Sequence, residues 1–219
     1  MIRGVLFDMD GLMFDTEPIA KACWAELGSA YGCTMDEEFY RSLCGLNRKA
    51  VERRFKEKFG EGLDFASYSA AQQRLLLRRY REDGVPMKPG LMALLRFLQE
   101  RHIPAAVATS SGRERTEVCL RSTGVEPYLS AVLCGDMVAQ GKPHPEIYER
   151  AAALLGLPPG DCLALEDSAN GIRSAHGAGC RAVMVPDMIP PTPELLSLCF
   201  AQVDSLEQVI PIIEGELDH

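Results

Sequence analysis

One stretch near the N-terminus indicates the fold most clearly: Gly4-Val-Leu-Phe-Asp-Met-Asp-Gly11. It begins with an apolar run, as in a strand that is covered on both faces of a parallel sheet. Asp8 and Asp10 follow directly, and on extended backbone two residues apart share a side. Gly11 then allows a sharp turn. Open parallel sheets bind ligands beyond the carboxyl ends of their strands, so the two aspartates are candidate site residues.

Similar apolar runs recur along the 219-residue chain, and helical patterns separate them. We predict further strands at residues 103–108, 131–134, 162–165 and 181–185. Apolar residues recur at the spacing of one helix face at Leu91, Leu94, Leu95 and Leu98. Alternating strands and helices predict an α/β fold with a Rossmann-like core, a doubly wound parallel sheet with helices on both faces.

Residues 15–87 depart from this alternation, because helical patterns follow one another there without a strand signal. The first helical pattern is a stripe of apolar residues: Ile19, Cys23, Leu27 and Ala30. Further helical patterns cover residues 51–59 and 68–80. We therefore predict an all-helical domain, residues 15–87, inserted into a core domain of residues 1–14 and 88–219.

Composition and charge narrow the class of protein. The chain has 23 Lys and Arg against 31 Asp and Glu, a net charge of −8, which opposes binding to a nucleic-acid backbone. The sequence lacks an apolar run of the roughly 18–20 residues that a membrane span needs, so we expect no membrane partner. The eight cysteines form no Cys-x-x-Cys pair, and the N-terminus has no signal-peptide pattern. We expect a cytoplasmic monomer with reduced thiols.

Later strands each end in polar residues of a particular kind. Thr109 and Ser110 follow the second strand and offer a hydroxyl and backbone N–H groups to an anion. Lys142 follows the third strand, where we expect it to begin a helix. The fourth strand ends in Glu166 and Asp167, a second acidic pair.

Taken singly, these groups also have structural explanations. The two hydroxyl residues are good helix caps, Lys142 suits a solvated surface, and the second acidic pair suits a helix N-terminus. Asp-x-Asp-Gly also begins calcium-binding loops, which need a glutamate at the twelfth position, where this chain has Ile19. The order of the groups, one at each predicted strand end, argues against coincidence.

Together the groups suit phosphoryl transfer. Carboxylates from separate strands can hold a hard divalent cation, and Mg²⁺ typically binds one or two carboxylates together with a substrate phosphate. A hydroxyl, backbone N–H groups and a lysine can hold the remaining phosphoryl oxygens. One carboxylate is then left as a nucleophile, and its neighbour can move protons. Such a site transfers a phosphoryl group through an aspartyl-phosphate.

The motifs Asp8-Met9-Asp10-Gly11, Thr109, Lys142 and Glu166-Asp167, in this order, resemble those of the haloacid dehalogenase superfamily of phosphohydrolases. Phe14-Asp15-Thr16-Glu17 and the helical insertion resemble its β-phosphoglucomutase-like branch. The resemblance covers essentially the whole chain. It is highly specific for the reaction and much less specific for the substrate.

The resemblance implies a role for each catalytic residue. Asp8 would be the nucleophile, and Asp10 would be the general acid and then the general base. Thr109 would bind the phosphoryl group through a hydrogen bond, with help from the N–H of Ser110. Lys142 would neutralise charge on Asp8 and on the phosphoryl oxygens.

The resemblance also implies Mg²⁺ as the cofactor. A carboxylate that attacks a phosphate dianion is repelled by it, so a metal and a lysine must screen the two charges. Glu166 would ligate the metal or orient one of its waters. The other implied metal ligands are Asp8, the backbone carbonyl of Asp10, and Asp167.

The helical insertion resembles a cap that closes over the site, excludes water and contacts the substrate. Gly45-Leu46-Asn47-Arg48 matches a Gly-x-x-Arg cap loop of this branch, and the planar guanidinium of Arg48 suits an anionic oxygen. A surface arginine before a helix is the alternative for Arg48. Thr16, Glu17 and Ser110 complete the predicted substrate-binding set, together with Gly45, Asn47 and Arg48.

Two departures from the branch favour hydrolysis. β-Phosphoglucomutases carry a histidine where Ala20 stands and a cap lysine where Cys44 stands. A mutase must hold a bisphosphate and keep water out, and the loss of two polar cap groups weakens that case. We therefore predict a magnesium-dependent phosphatase of a small phosphorylated metabolite, a sugar or polyol phosphate. The alternative is a β-phosphoglucomutase that interconverts β-glucose 1-phosphate and glucose 6-phosphate.

Overall fold

The chain folds into an α/β unit and a helical unit, each with its own hydrophobic core. The computed structural model describes residues 1–43, 48–188 and 190–217. The core unit comprises Met1–Asp15 and Val85–His219, and the helical unit comprises Thr16–Gly84. Among the helices in these described ranges, none is long and apolar enough to cross a membrane.

A parallel sheet forms the centre of the core unit. Its strands, as far as the structure describes the chain, are β1 Gly4–Phe7, β2 Ala105–Ala108, β3 Ala131–Leu133, β4 Cys162–Glu166, β5 Arg181–Met184 and β6 Ala201–Gln202. Their spatial order is β3-β2-β1-β4-β5-β6, and every neighbouring pair is parallel. The order reverses between β1 and β4, so the end of β1 lies at a topological switch point. The predicted α/β fold class is confirmed.

Burial explains which strands the sequence predicts. All residues of β1, β2 and β4 are buried, which produces the continuous apolar runs of a covered parallel sheet. β2 begins at Ala105, two residues later than predicted, and the preceding Pro104 has no N–H to donate to the ladder. The sequence does not predict β6, because Ala201 and Gln202 are too few residues to form a recognisable pattern.

The helical unit contains four helices within its described residues: α1 Glu17–Ala30, α2 Glu37–Leu43, α3 Arg48–Phe59 and α4 Phe65–Glu82. Aromatic rings fill its centre. The ring of Phe55 lies 4.9–5.5 Å, between centroids, from those of Trp24, Phe65 and Tyr68. These rings give the helical unit a core that is separate from the sheet.

Helices alternate with the strands of the core unit along the chain. They are α5 Leu91–Glu100, α6 Arg113–Thr123, α7 Glu146–Leu154, α8 Ala169–Gly177, α9 Pro193–Leu196 and α10 Val209–Leu217. The predicted leucine stripe of α5 is buried. α7 and α8 bury apolar residues in one cluster with Leu6, Ala106 and Ala164 of the sheet. This packing fixes the loops at the ends of the strands, where the candidate site residues lie.

The two segments of chain that connect the units pair with each other through backbone hydrogen bonds. Asp15 N donates to Pro86 O, and Lys88 N donates to Met13 O, each at 2.9 Å. Asp15 and residues 85–87 consequently belong to the core unit, whereas the sequence pattern places them in the helical domain. The difference arises because the two connecting segments lie about 70 positions apart along the chain. A local sequence pattern does not reveal that they pair.

Phe55 provides a test of the helical unit's core. Its side chain is 1% exposed, so Phe55→Ala should lower the free energy of unfolding of this unit by about 3–5 kcal/mol. Leu154→Ala is the control, because Leu154 is 56% exposed and its loss should change stability by less than about 0.5 kcal/mol. Urea denaturation followed by circular dichroism measures both values. Equal effects of the two substitutions would contradict the assignment of this core.

Candidate active site

Three carboxylates meet at the switch point of the sheet. β1 and β4 are neighbours with Phe7 opposite Leu165, so the residues that follow them lie at the same edge. Asp8 follows β1, Glu166 is the last residue of β4, and Asp167 comes next. One carboxylate oxygen of each lies within 4.8 Å of the others. The structure thus brings together three of the predicted site residues.

Lys142 lies between two of these carboxylates. Its Nζ donates to Asp8 Oδ1 at 2.6 Å and to Glu166 Oε1 at 2.5 Å, and its side chain is only 5% exposed. The surface alternative for this lysine is therefore wrong. The expectation that Lys142 begins a helix is also wrong: α7 begins at Glu146. The residue before a proline disfavours helical backbone, and Pro143 follows Lys142.

Four hydrogen bonds surround the buried carboxylate of Glu166. Oε1 accepts from Lys142 and, at 2.6 Å, from the hydroxyl of Tyr148. Oε2 accepts from the N–H of Ser168 at 3.3 Å and from its hydroxyl at 3.0 Å. These bonds fix Glu166 so that it orients Lys142 toward Asp8. The sequence does not reveal Tyr148, because its place in the helical pattern of α7 is that of a core residue.

Two glycines allow the chain to approach these acids closely. A Cβ at Gly171, in α8, would lie 1.8 Å from the carboxyl carbon of Glu166. Gly11 has a φ of +82°, and a Cβ there would lie 2.4 Å from Oδ2 of Asp167. Any other residue at either position would displace an acid of the cluster. The predicted sharp turn after Asp10 therefore also makes room for Asp167.

The charges of the cluster do not balance. Burial raises the pKa of the Asp8 carboxyl to about 7, with Lys142 opposing and Glu166 adding to the rise. Burial and the charge of Asp8 raise the pKa of Asp167 well above its ordinary value. Burial lowers the pKa of Lys142, but the charges of Asp8 and Glu166 outweigh it and raise that pKa. Three carboxylates face one lysine, and this oxygen-rich, anionic donor set fits Mg²⁺.

Thr109 lies at the same edge of the sheet. It follows β2, in which Val107 pairs with Phe7 of β1, and only 1% of it is exposed. Its Oγ1 accepts a hydrogen bond from the N–H of Ser111 at 3.0 Å. The N-cap residue of α6 is Gly112, so neither Thr109 nor Ser110 caps that helix.

Asp10 contacts two residues that the sequence does not single out. Ser111 Oγ donates to Oδ2 of Asp10 at 2.6 Å, and Arg115 Nη2 donates to Oδ1 at 2.5 Å. Both partners lie about 100 positions away along the chain. Their only local signal is their nearness to Thr109, and the parallel pairing of β1 and β2 is what brings them to Asp10.

Five of the predicted substrate-binding residues belong to the helical unit. Thr16 is buried at the N-cap position of α1, and Glu17 is the first residue of that helix. Glu17 accepts a hydrogen bond from the hydroxyl of Tyr40 at 2.6 Å, within the helical unit. Arg48 is the first residue of α3. Gly45 and Asn47 lie outside the described residues. The substrate-binding roles of all five residues stay predictions.

Comparisons with known proteins identify the same family that the sequence motifs of the site predict. Residues 2–179 match the haloacid dehalogenase-like hydrolase family. Protein CbbY of Cereibacter sphaeroides is 32% identical over 85% of each chain. The phosphorylated carbohydrates phosphatase of Thermotoga maritima is 30% identical over 83% of this chain and 84% of that protein. A solved structure of a CbbY variant from Rhodobacter sphaeroides, in complex with xylulose-(1,5)bisphosphate, has a TM-score of 0.83 at 30% identity, over 95% of this chain and 96% of that one.

The chain belongs to the haloacid dehalogenase-like hydrolases, because the family match spans most of its length and the sheet carries the acids at its switch point. The resemblance predicted from the four motifs is confirmed. Within this family the chain is a phosphoric monoester hydrolase, which is also as predicted.

Gly171 gives a test of the acid cluster in which no acid is itself substituted. Gly171→Ala puts a Cβ into the Glu166 carboxylate, and we expect it to lower stability by about 2 kcal/mol or more, as overpacking does, and to lower kcat. Gly177→Ala is the matched control on the same helix, because its Cβ would meet Pro145 at an ordinary 3.6 Å. It should be neutral or stabilising by up to about 1 kcal/mol. Thermal unfolding and phosphatase assays compare the two, and an undisturbed Gly171→Ala protein would contradict the packing described.

Proposed function

We propose that this chain is a magnesium-dependent phosphatase that hydrolyses a small sugar or polyol phosphate through an aspartyl-phosphate on Asp8. One observation carries the proposal: the buried Lys142 ammonium joins Asp8 and Glu166 within the acid cluster at the end of β1. A carboxylate held beside a fixed cation can approach an anionic phosphate. The names of the relatives in the preceding subsection support phosphorylated carbohydrates as the substrate class.

The first step forms a bond between an oxygen of Asp8 and phosphorus and breaks the ester bond. Lys142 holds Oδ1 of Asp8, and we assign the attack to Oδ2. Asp10 gives its proton to the leaving oxygen. The hydroxyl of Thr109 and the N–H of Ser110 would bind the phosphoryl oxygens, where fixed donors stabilise developing charge.

The second step returns the enzyme to its starting state. Asp10, now a carboxylate, takes a proton from a water that attacks phosphorus. The bond between Asp8 and phosphorus breaks, and inorganic phosphate is released. The net reaction consumes one water and leaves the protonation of Asp10 unchanged, as general acid–base catalysis requires.

Magnesium would be held by Asp8, the backbone carbonyl of Asp10 and Asp167, with Glu166 beside them. When bound, it supplies positive charge that offsets the charge of the phosphate and of the acid cluster. Burial first, and the charges of neighbouring acids second, raise the pKa values of Asp8 and Asp167, and a cation bound between these carboxylates would offset both effects.

A panel of phosphate esters tests the reaction and its substrate class. The panel contains glucose 6-phosphate, sorbitol 6-phosphate, xylulose 1,5-bisphosphate and β-glucose 1-phosphate with a trace of its bisphosphate. We expect inorganic phosphate from a sugar or polyol phosphate, and a loss of about 10⁴-fold or more in kcat/KM for Asp8→Asn. Asp204→Asn, at an exposed position, is the control and should retain activity.

Two outcomes of the panel contradict the proposal. Glucose 6-phosphate formed from β-glucose 1-phosphate without phosphate release would make the chain a mutase, and Ala20 and Cys44 would then be compatible with that reaction. Full turnover by Asp8→Asn would exclude the aspartyl-phosphate.

Asp167 tests the metal site. Removal of one anionic ligand should raise the Mg²⁺ concentration needed for half-maximal activity by about 10-fold or more in Asp167→Asn. The stabilisation that Mg²⁺ gives to thermal unfolding should weaken in parallel, because a ligand that binds the folded state raises its stability. An unchanged Mg²⁺ requirement in both assays would contradict the assignment.

A further inference from the structure

The carboxylate of Asp10 is held at both oxygens. Ser111 donates to Oδ2 at 2.6 Å and Arg115 donates to Oδ1 at 2.5 Å. The pair is partly shielded, with 23% of the Arg115 side chain and 20% of the Asp10 side chain exposed. Two donors on different oxygens restrict rotation of the carboxylate, and a charge-assisted bond to arginine is among the stronger hydrogen bonds.

Both donors are attached to rigid parts of the core unit. The N–H of Ser111 donates to Thr109 Oγ1, and the carbonyl of Ser111 accepts from the N–H of Gly135 at 2.9 Å. A Cβ at Gly135 would lie 2.2 Å from the carbonyl oxygen of Ser110, so the loop is packed directly on backbone. Ser111 is therefore fixed before any substrate binds.

Arg115 is fixed by the first turn of α6. The next residue, Thr116, is buried, and its hydroxyl donates to Gly112 O at 3.1 Å. A cation near the N-terminus of a helix is opposed by the helix dipole. Helix stability therefore does not explain an arginine at this position, whereas its contact with Asp10 does.

We propose that Arg115 is a positioning residue that, together with Ser111, sets the orientation of Asp10 for both proton transfers. This inference rests on the proposed function, in which Asp10 delivers one proton and recovers one from water. Arg115 takes no part in that proton balance, because a guanidinium only donates hydrogen bonds and keeps its charge. It acts on the reaction through Asp10.

Two esters with different leaving groups test this role. The aliphatic ester of the panel with the highest kcat/KM leaves as an alkoxide and needs a proton, whereas p-nitrophenyl phosphate leaves as a stable phenolate and does not. Arg115→Met should lower kcat/KM for the aliphatic ester by about 10-fold or more and for p-nitrophenyl phosphate by less than about 3-fold. Arg115→Lys, which keeps the charge, should recover part of the loss.

The control removes a charge from the same helix at its other end. Arg121 is exposed and contacts Glu117 at 3.8 Å, so Arg121→Met should leave both esters unaffected. An equal loss of kcat/KM, which covers the steps up to release of the leaving group, on both esters for Arg115→Met would assign Arg115 to substrate binding or to structure and would overturn the inference.

A double-mutant cycle with Asp10→Asn tests whether Arg115 acts through Asp10, even when Arg115→Met lowers stability. If Arg115 acts through Asp10, its substitution should change kcat/KM by less than about 2-fold once Asp10 is already Asn. Additive losses would overturn the inference and leave the proposed function in place. If the wild-type protein hydrolyses neither ester, the proposed function itself is wrong, and the inference falls with it.

Discussion

The contact of the Lys142 ammonium with Asp8 and Glu166 is the interaction on which the rest of the site depends. Burial of a lysine and two carboxylates away from water is unfavourable unless their charges are paired and hydrogen-bonded. Here the lysine reaches both acids, and Tyr148 and Ser168 satisfy the remaining acceptor positions of Glu166. The arrangement holds Asp8 beside a fixed positive charge before any substrate arrives.

Several features of the core unit follow from this constraint. The adjacency of β1 and β4 brings Asp8 and Glu166 to one edge, and the close approach at Gly171 lets α8 begin directly over the Glu166 carboxylate. The turn at Gly11 leaves space for Asp167. Each feature adds packing or negative charge around Asp8. Burial, together with the charge of Glu166, consequently raises the pKa of Asp8. A site that is rigid, buried and anionic is suited to a cation and a phosphate together.

Strands β1 to β5 and the polar residues that follow them could be predicted from the sequence, because a buried parallel strand is continuous in apolar residues and its polar continuation is local. Tyr148 could not be predicted, since a residue inside a helical pattern is equally compatible with a core position. The contacts of Asp10 with Ser111 and Arg115 depend on strand pairing across about 100 residues, which no local spacing encodes. The prediction that a helix begins at Lys142 was wrong because Pro143 follows Lys142, and the residue before a proline disfavours helical backbone; the helix begins at Glu146.

The stereochemical course at phosphorus distinguishes covalent catalysis by Asp8 from direct attack by water. A phosphorothioate ester made chiral at phosphorus with ¹⁶O and ¹⁸O is hydrolysed by the wild-type enzyme in ¹⁷O-labelled water, and the configuration of the released thiophosphate is determined. Two successive in-line displacements, first by Asp8 and then by water, each invert the configuration at phosphorus, so we expect overall retention. Overall inversion would mean direct attack by water and would contradict it.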